Sequence, residues 1–104
     1  MNPDEIIVTH DPEAGEFTAQ VGDERAVLEY REYPGRIVFS HTEVPVAVRH
    51  MGIADKLSHA GLEYARGKKL TVVPICPFVA AYMRRHPEYQ SLVDQQWRSH
   101  AGIP

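Results

Sequence analysis

Arg49, Gly52 and Ala54 stand in the order Arg-x-x-Gly-x-Ala, after the apolar stretch Val44-Pro45-Val46-Ala47-Val48 and before an amphipathic run. A strand end, a short turn with one Gly and a helix start together make an anion site. The first N–H groups of a helix have no intrahelical partner, and the helix dipole places partial positive charge there. Gly52 lets a phosphate approach the backbone, and Arg49 adds a fixed charge with a planar donor fork. The same six residues also describe an ordinary strand-to-helix turn. Cys76, the single cysteine, stands just before Pro77, in the N-cap region of a last helix. A helix N-terminus favours thiolate, which suits a nucleophile or a group lining a reactive site. The alternative is a small buried hydrophobe, and no base is fixed near Cys76 in sequence. His41 and Glu43 alternate along one strand and so share one of its faces. Either could take a proton from a substrate, directly or through water, or be solvated strand surface. The six histidines include no His-x-x-x-His and Cys76 has no ligand neighbour, so no metal is expected.

These residues need a scaffold. Ile6–His10 and Glu16–Val21 read as strands around the turn Asp11-Pro12-Glu13-Ala14-Gly15. Ala26–Glu32 and Arg36–Val44 read as a third and fourth strand around Pro34-Gly35. Such a meander pairs antiparallel. From Gly52 to Arg66 the apolar positions recur at three and four, which predicts an amphipathic helix stopped by Gly67. Lys69–Pro74 follows as a short strand, so the helix is a crossover and the fifth strand lies parallel to the fourth. Pro77 suits the first turn of a second helix, Phe78–His86, ended by Pro87. The fold class is α+β. Ligands favour strand carboxyl ends beside such a parallel junction, where the anion loop also falls.

The chain has 104 residues, enough for one domain over 1–104, with a core at about 6–93. The tail, 94–104, has one anchor in Trp97 and is otherwise expected to be loosely held. Apolar content of 43% and charged content of 24% are ordinary for a globular domain. A net charge of -3 with no basic stripe argues against nucleic acid as partner. No apolar run approaches the ~20 residues that span a bilayer, so no membrane partner is expected. The acidic start Met1-Asn2-Pro3-Asp4-Glu5 lacks a signal-peptide pattern, and a lone cysteine favours a reducing compartment. The cytoplasm is the expected location.

A second block runs from Val72 to Tyr89 and carries Cys76-Pro77-Phe78, then Tyr82, then His86-Pro87-Glu88-Tyr89. With Thr42-Glu43-Val44-Pro45 and Arg49 to Ala54 upstream, these blocks in this order resemble the short, single-domain subfamily of GCN5-related N-acetyltransferases, over roughly Ala26 to Val93. One position departs: His50 stands where many relatives carry Gly. The resemblance implies that fold and acetyl-coenzyme A as co-substrate. Backbone N–H groups of Met51, Gly52, Ile53 and Ala54 would hold the pyrophosphate, with Arg49 and His50 beside it. The strand end Thr42, Glu43, Val44 and Val46 would pair with the pantetheine amides, which needs the fourth and fifth strands to splay. Cys76, Phe78 and Tyr82 would complete the surround. Tyr82 matches a tyrosine that protonates the departing thiolate in larger relatives, and His41 or Glu43 would deprotonate the amine. The implied activity is acetyl transfer to a primary amine, with a protein lysine among the acceptors. The alternative is a non-catalytic acyl-coenzyme A-binding module. An exposed edge strand is compatible with a monomer or a weak dimer.

Overall fold

A computed structural model describes residues 5–104; the acidic start at residues 1–4, where a signal peptide was not expected, lies outside the described residues. Strands β1 (Val8–Asp11), β2 (Glu16–Val21), β3 (Glu24–Tyr33), β4 (Arg36–Glu43) and β5 (Thr71–Pro74) form one sheet in that order. The first four pair antiparallel, and β5 pairs parallel to β4. Helix α1 (Ile53–Gly67) makes the crossover and α2 (Pro77–Arg85) follows β5. This is the α+β arrangement expected from the sequence. β1 sits later than the expected Ile6–His10, because the Gly15 amide donates to the Asp11 carbonyl and carries the pairing past His10 to Asp11–Glu16.

One face of the sheet is covered. Phe17, Leu28, Tyr30, Ile37 and Phe39 pack in one core with Ile53, Leu57, Leu62 and Ala65 of α1. Gly61 makes the close approach possible, since a Cβ there would stand 2.8 Å from the Phe39 ring. Gly67 does not stop α1 as expected; it is the last helical residue. The chain turns out at Lys69, which holds φ 58°, and the Leu70 amide donates back to the Ala65 carbonyl. A left-handed residue ends the helix, but it is a lysine rather than the glycine two places earlier.

The tail is not loose. Val93 bridges Val72 in parallel, and the Asp94 amide donates to the Val72 carbonyl at 2.8 Å, closing the outer edge of β5. Ala101 and Ile103 are buried in the core, and Arg84 Nη1 donates to the Ala101 carbonyl at 2.7 Å. An open strand edge and an uncovered apolar side create two demands that one short segment meets.

Candidate functional site

β4 ends at Glu43, and the chain then enters a 3₁₀ turn, Val46–Met51, in place of the apolar strand end read from the sequence. Pro45 precedes that turn and Gly52 closes it at φ 71°, ψ 24°. Only a residue without Cβ takes this conformation freely. Gly52 is also the N-cap of α1 and carries no capping side chain. The first α-helical bond is Lys56 N–H to the Gly52 carbonyl, at 3.2 Å. The N–H groups of Ile53, Ala54 and Asp55 are therefore left without intrahelical acceptors. Met51 closes the 3₁₀ turn, so its N–H belongs to the i→i+3 ladder of that turn. Arg49 Nε donates to the Val44 carbonyl at 2.9 Å, which ties the turn to the strand end. His50 is exposed beside it.

The next feature is a gap. β5 pairs with β4 only from Arg36–Thr71 to Phe39–Pro74. Pro74 has no N–H to carry the ladder further. Cys76 makes the last backbone link, donating its N–H to the Phe39 carbonyl at 2.9 Å. Beyond it Ser40–Glu43 has no β5 partner, so the two strands part. A bulge lies at the same place: Glu29 pairs with His41 but Tyr30 pairs with Phe39, leaving Ser40 as an extra residue. The bulge reverses the alternation of β4. Ile37 and Phe39 face the helices, and so does Thr42, opposite Leu28, whereas His41 and Glu43 face the open side. Thr42 Oγ1 and Cys76 Sγ meet at 2.8 Å across the base of the gap, both buried. The lips of the gap are apolar and exposed: Val46 on one side, Ile75 and Phe78 on the other.

The candidate proton-transfer residues separate into different places. His41 and Glu43 sit together on the open face, with Nε2 and Oε2 3.6 Å apart and both side chains more than half exposed. Tyr82 is turned toward α1, where its hydroxyl lies 3.3 Å from His59 Nδ1. It floors an open groove of about 490 Å³ between the helices and residues Ile6 and Val8. Burial raises the Tyr82 pKa, and the carboxylates of Asp55 and Glu88 add to the rise. Two hydrogen bonds from Arg85 to Asp55 clamp the helices together and hold the Asp55 carboxyl below its usual range.

The sequence matches the GCN5-related N-acetyl-transferase family over residues 16–92. The chain belongs to the GCN5-related N-acetyltransferase family. Relatives named NATD1 agree with that placement. The chicken (Gallus gallus) protein is 37% identical over 90 residues, covering 84% of this chain and 82% of its own length. The human (Homo sapiens) protein is also 37% identical, over 84% and 80%. The Xenopus tropicalis protein is 34% identical over 88% of each chain. The matched span of this acetyltransferase-family domain includes both the α1 turn and the gap at Cys76.

Three side chains around Tyr82 went unassigned in the sequence reading of this GCN5-related domain. His59 and Glu63 lie one turn apart on α1, and Tyr89 follows α2 in the 3₁₀ turn Pro87–Leu92. Tyr89 Oη is 2.6 Å from Glu63 Oε2 and 3.1 Å from His59 Nδ1. The i, i+4 spacing of His59 and Glu63 was a usable signal. Their meeting with two tyrosines depends on how α2 docks.

Proposed function

We propose that this chain is an acetyl-coenzyme A-dependent N-acetyltransferase acting on a primary amine, with a lysine side chain on a protein as the acceptor class that best suits its open surfaces. The observation that carries the reading is the gap between β4 and the β5–α2 turn, which opens beside the free N–H groups of α1. Pyrophosphate fits against the free N–H groups of Ile53 and Ala54 and the bare Cα of Gly52, where no side-chain cap competes and the space beside Gly52 is open. Arg49, anchored through Nε, is placed to add charge. Pantetheine amides fit the unpaired edge at Thr42, Glu43 and Val44, between the apolar lips Val46 and Phe78.

In the reaction the amine nitrogen attacks the thioester carbonyl carbon, the C–S bond breaks, and the acetyl group stays on nitrogen. The amine loses one proton and the coenzyme A thiolate gains one. His41 and Glu43 lie on the opposite face of the sheet from Tyr82, so they suit the first task through intervening water, and the neutral Tyr82 phenol suits the second. Cys76 suits a lining role better than a nucleophilic one. Its side chain is almost fully buried and its one polar contact among the described residues is a hydroxyl, which is no base. The exposure of His41 and Glu43 favours one rival, an acyl-coenzyme A-binding module without turnover.

Calorimetric titration with acetyl-coenzyme A tests the reading. Saturable one-site binding is expected, with loss of about 100-fold in affinity, about 2.7 kcal/mol, for Gly52→Asp. Circular dichroism checks that the variant is folded. Unchanged affinity would remove the phosphate from the α1 turn, and consumption of acetyl-coenzyme A with an amine separates enzyme from binding module.

A further inference from the structure

Two buried phenols converge on one imidazole nitrogen. Tyr82 Oη lies 3.3 Å and Tyr89 Oη 3.1 Å from His59 Nδ1, while the His59 side chain itself reaches solvent. A ring nitrogen either bears a proton or offers a lone pair; it does not do both. The Tyr89 proton has a better destination, since its hydroxyl donates to Glu63 Oε2 at 2.6 Å, and Arg66 Nη2 holds that carboxylate through both oxygens, 2.6 Å from Oε2 and 2.8 Å from Oε1. Tyr89 therefore shows His59 only lone pairs. That leaves two arrangements. With Nδ1 protonated, His59 donates to Tyr89, and the Tyr82 proton is free to point into the groove. With Nδ1 bare, Tyr82 donates to His59, and the groove meets only the phenol oxygen as an acceptor.

We propose that His59 is a positioning residue that switches the Tyr82 hydroxyl between proton donor and acceptor toward the groove, with Glu63 acting on it through Tyr89. The inference rests on the assignment of Tyr82 as proton donor to the departing thiolate. In that step the Tyr82 O–H bond breaks as the S–H bond of coenzyme A forms. The phenolate then takes the Nδ1 proton of His59 as Nε2 takes one from water, and loss of that Nε2 proton with re-entry of one at Nδ1 resets the tautomer. The proton gained by the thiolate is thus supplied by solvent, and the proton lost by the amine returns there.

The surroundings bear on which state prevails. Asp55, Lys56 and Glu63 face His59 along α1, Tyr82 from α2, His86 from the residue just past the end of α2, and Tyr89 from the turn that follows. Ile6 and Val8, on the remaining wall, carry no charge. Asp55 is already engaged by Arg85. The Glu63 carboxyl is held below its usual range, first by the Tyr89 hydrogen bond and then by Arg66, so it stays charged at neutral pH.

Nitrogen-15 NMR of the histidine rings tests the coupling without any ligand. Expected is a protonated Nδ1 in the wild type and a move toward bare Nδ1 in Glu63→Gln, where Tyr89 loses its carboxylate acceptor, and in Tyr89→Phe. A His59 ring whose tautomer is the same in wild type, Tyr82→Phe, Tyr89→Phe and Glu63→Gln overturns the proposal. Thiol release from acetyl-coenzyme A with poly-lysine as the amine supplies the kinetic arm. His59→Asn keeps a side chain that hydrogen-bonds and removes the titration. It should bind acetyl-coenzyme A as the wild type does, lose roughly tenfold or more in kcat, and lose the acid limb of the pH profile. The double variant with Tyr82→Phe should be no slower than Tyr82→Phe alone. A His59→Asn variant with wild-type kcat and pH profile overturns the switch while leaving the acetyltransferase reading intact. Failure of the wild type to bind acetyl-coenzyme A overturns that reading instead, and the NMR arm still decides the coupling.

Discussion

His10 sits at the far end of the sheet from the gap, stacked on Phe17 with ring centroids 4.1 Å apart. Its Nε2 is 2.6 Å from Tyr30 Oη. The Tyr30 pKa is pushed up to about 12, mainly by burial, so the phenol keeps its proton and donates it to the neutral ring. Burial lowers the His10 pKa against the opposing pull of Glu32 and Asp11. The unfolded chain, with a histidine pKa near ~6.5, then binds a proton more readily than the folded one. The contribution of His10 is therefore fully present above that pH and is lost as pH falls through the lower folded value. Melting temperature measured from pH 7.5 to 5.0 should fall more steeply in the wild type than in His10→Phe. Parallel curves would show that His10 carries no such linkage.

Among the elements, α1 has the least expected ending. Its left-handed position is Lys69, at φ 58°. A non-glycine residue there costs on the order of 1 kcal/mol. Lys69→Gly should raise stability by about 0.5–1 kcal/mol, partly offset by the greater freedom of glycine in the unfolded chain. Denaturant unfolding measures it, and a loss of stability would mean that Lys69 makes a contact worth more than the strain it bears. The β4 bulge acts at the same scale. The one extra residue, Ser40, ends the alternation set by Ile37 and Phe39 and brings Thr42 rather than His41 to Cys76.

The molecule as a whole is closed by its last residues. Ile103 is 3% exposed and Ala101 fully buried, and the Arg98 guanidinium donates to the carbonyls of Pro104 and Gln90. A segment held in this way behaves as core. Ile103→Ala should cost about 2–5 kcal/mol and lower the melting temperature by roughly 10 °C or more. A change near zero would show that the segment adds nothing to the packed core. This closure also covers the β5 edge, so β1 remains as the outer strand of the sheet.

The sequence by itself determined what depends on neighbours in the chain. The apolar period of three and four between Ile53 and Ala65 specified α1, Pro34-Gly35 a turn, and Pro77 the start of α2. The order strand, helix, strand required a parallel β5. Gly52 was legible because one residue type suits its backbone. Only the tertiary structure decided the face on which His41 and Glu43 lie, since strict alternation from Phe39 would have turned both inward. A bulge arises from how β4 registers on β3, and register is a property of two strands. The meeting of Thr42 with Cys76, and of His59 with Tyr82 and Tyr89, joins residues 23 to 34 positions apart. The helix period places each on a face, and the docking of α2 against α1 brings the faces together. The tail read as loose because Ala101 and Ile103 form no periodic pattern. Their burial follows from the open edge of β5 and the uncovered side of the core, which exist only once the chain has folded.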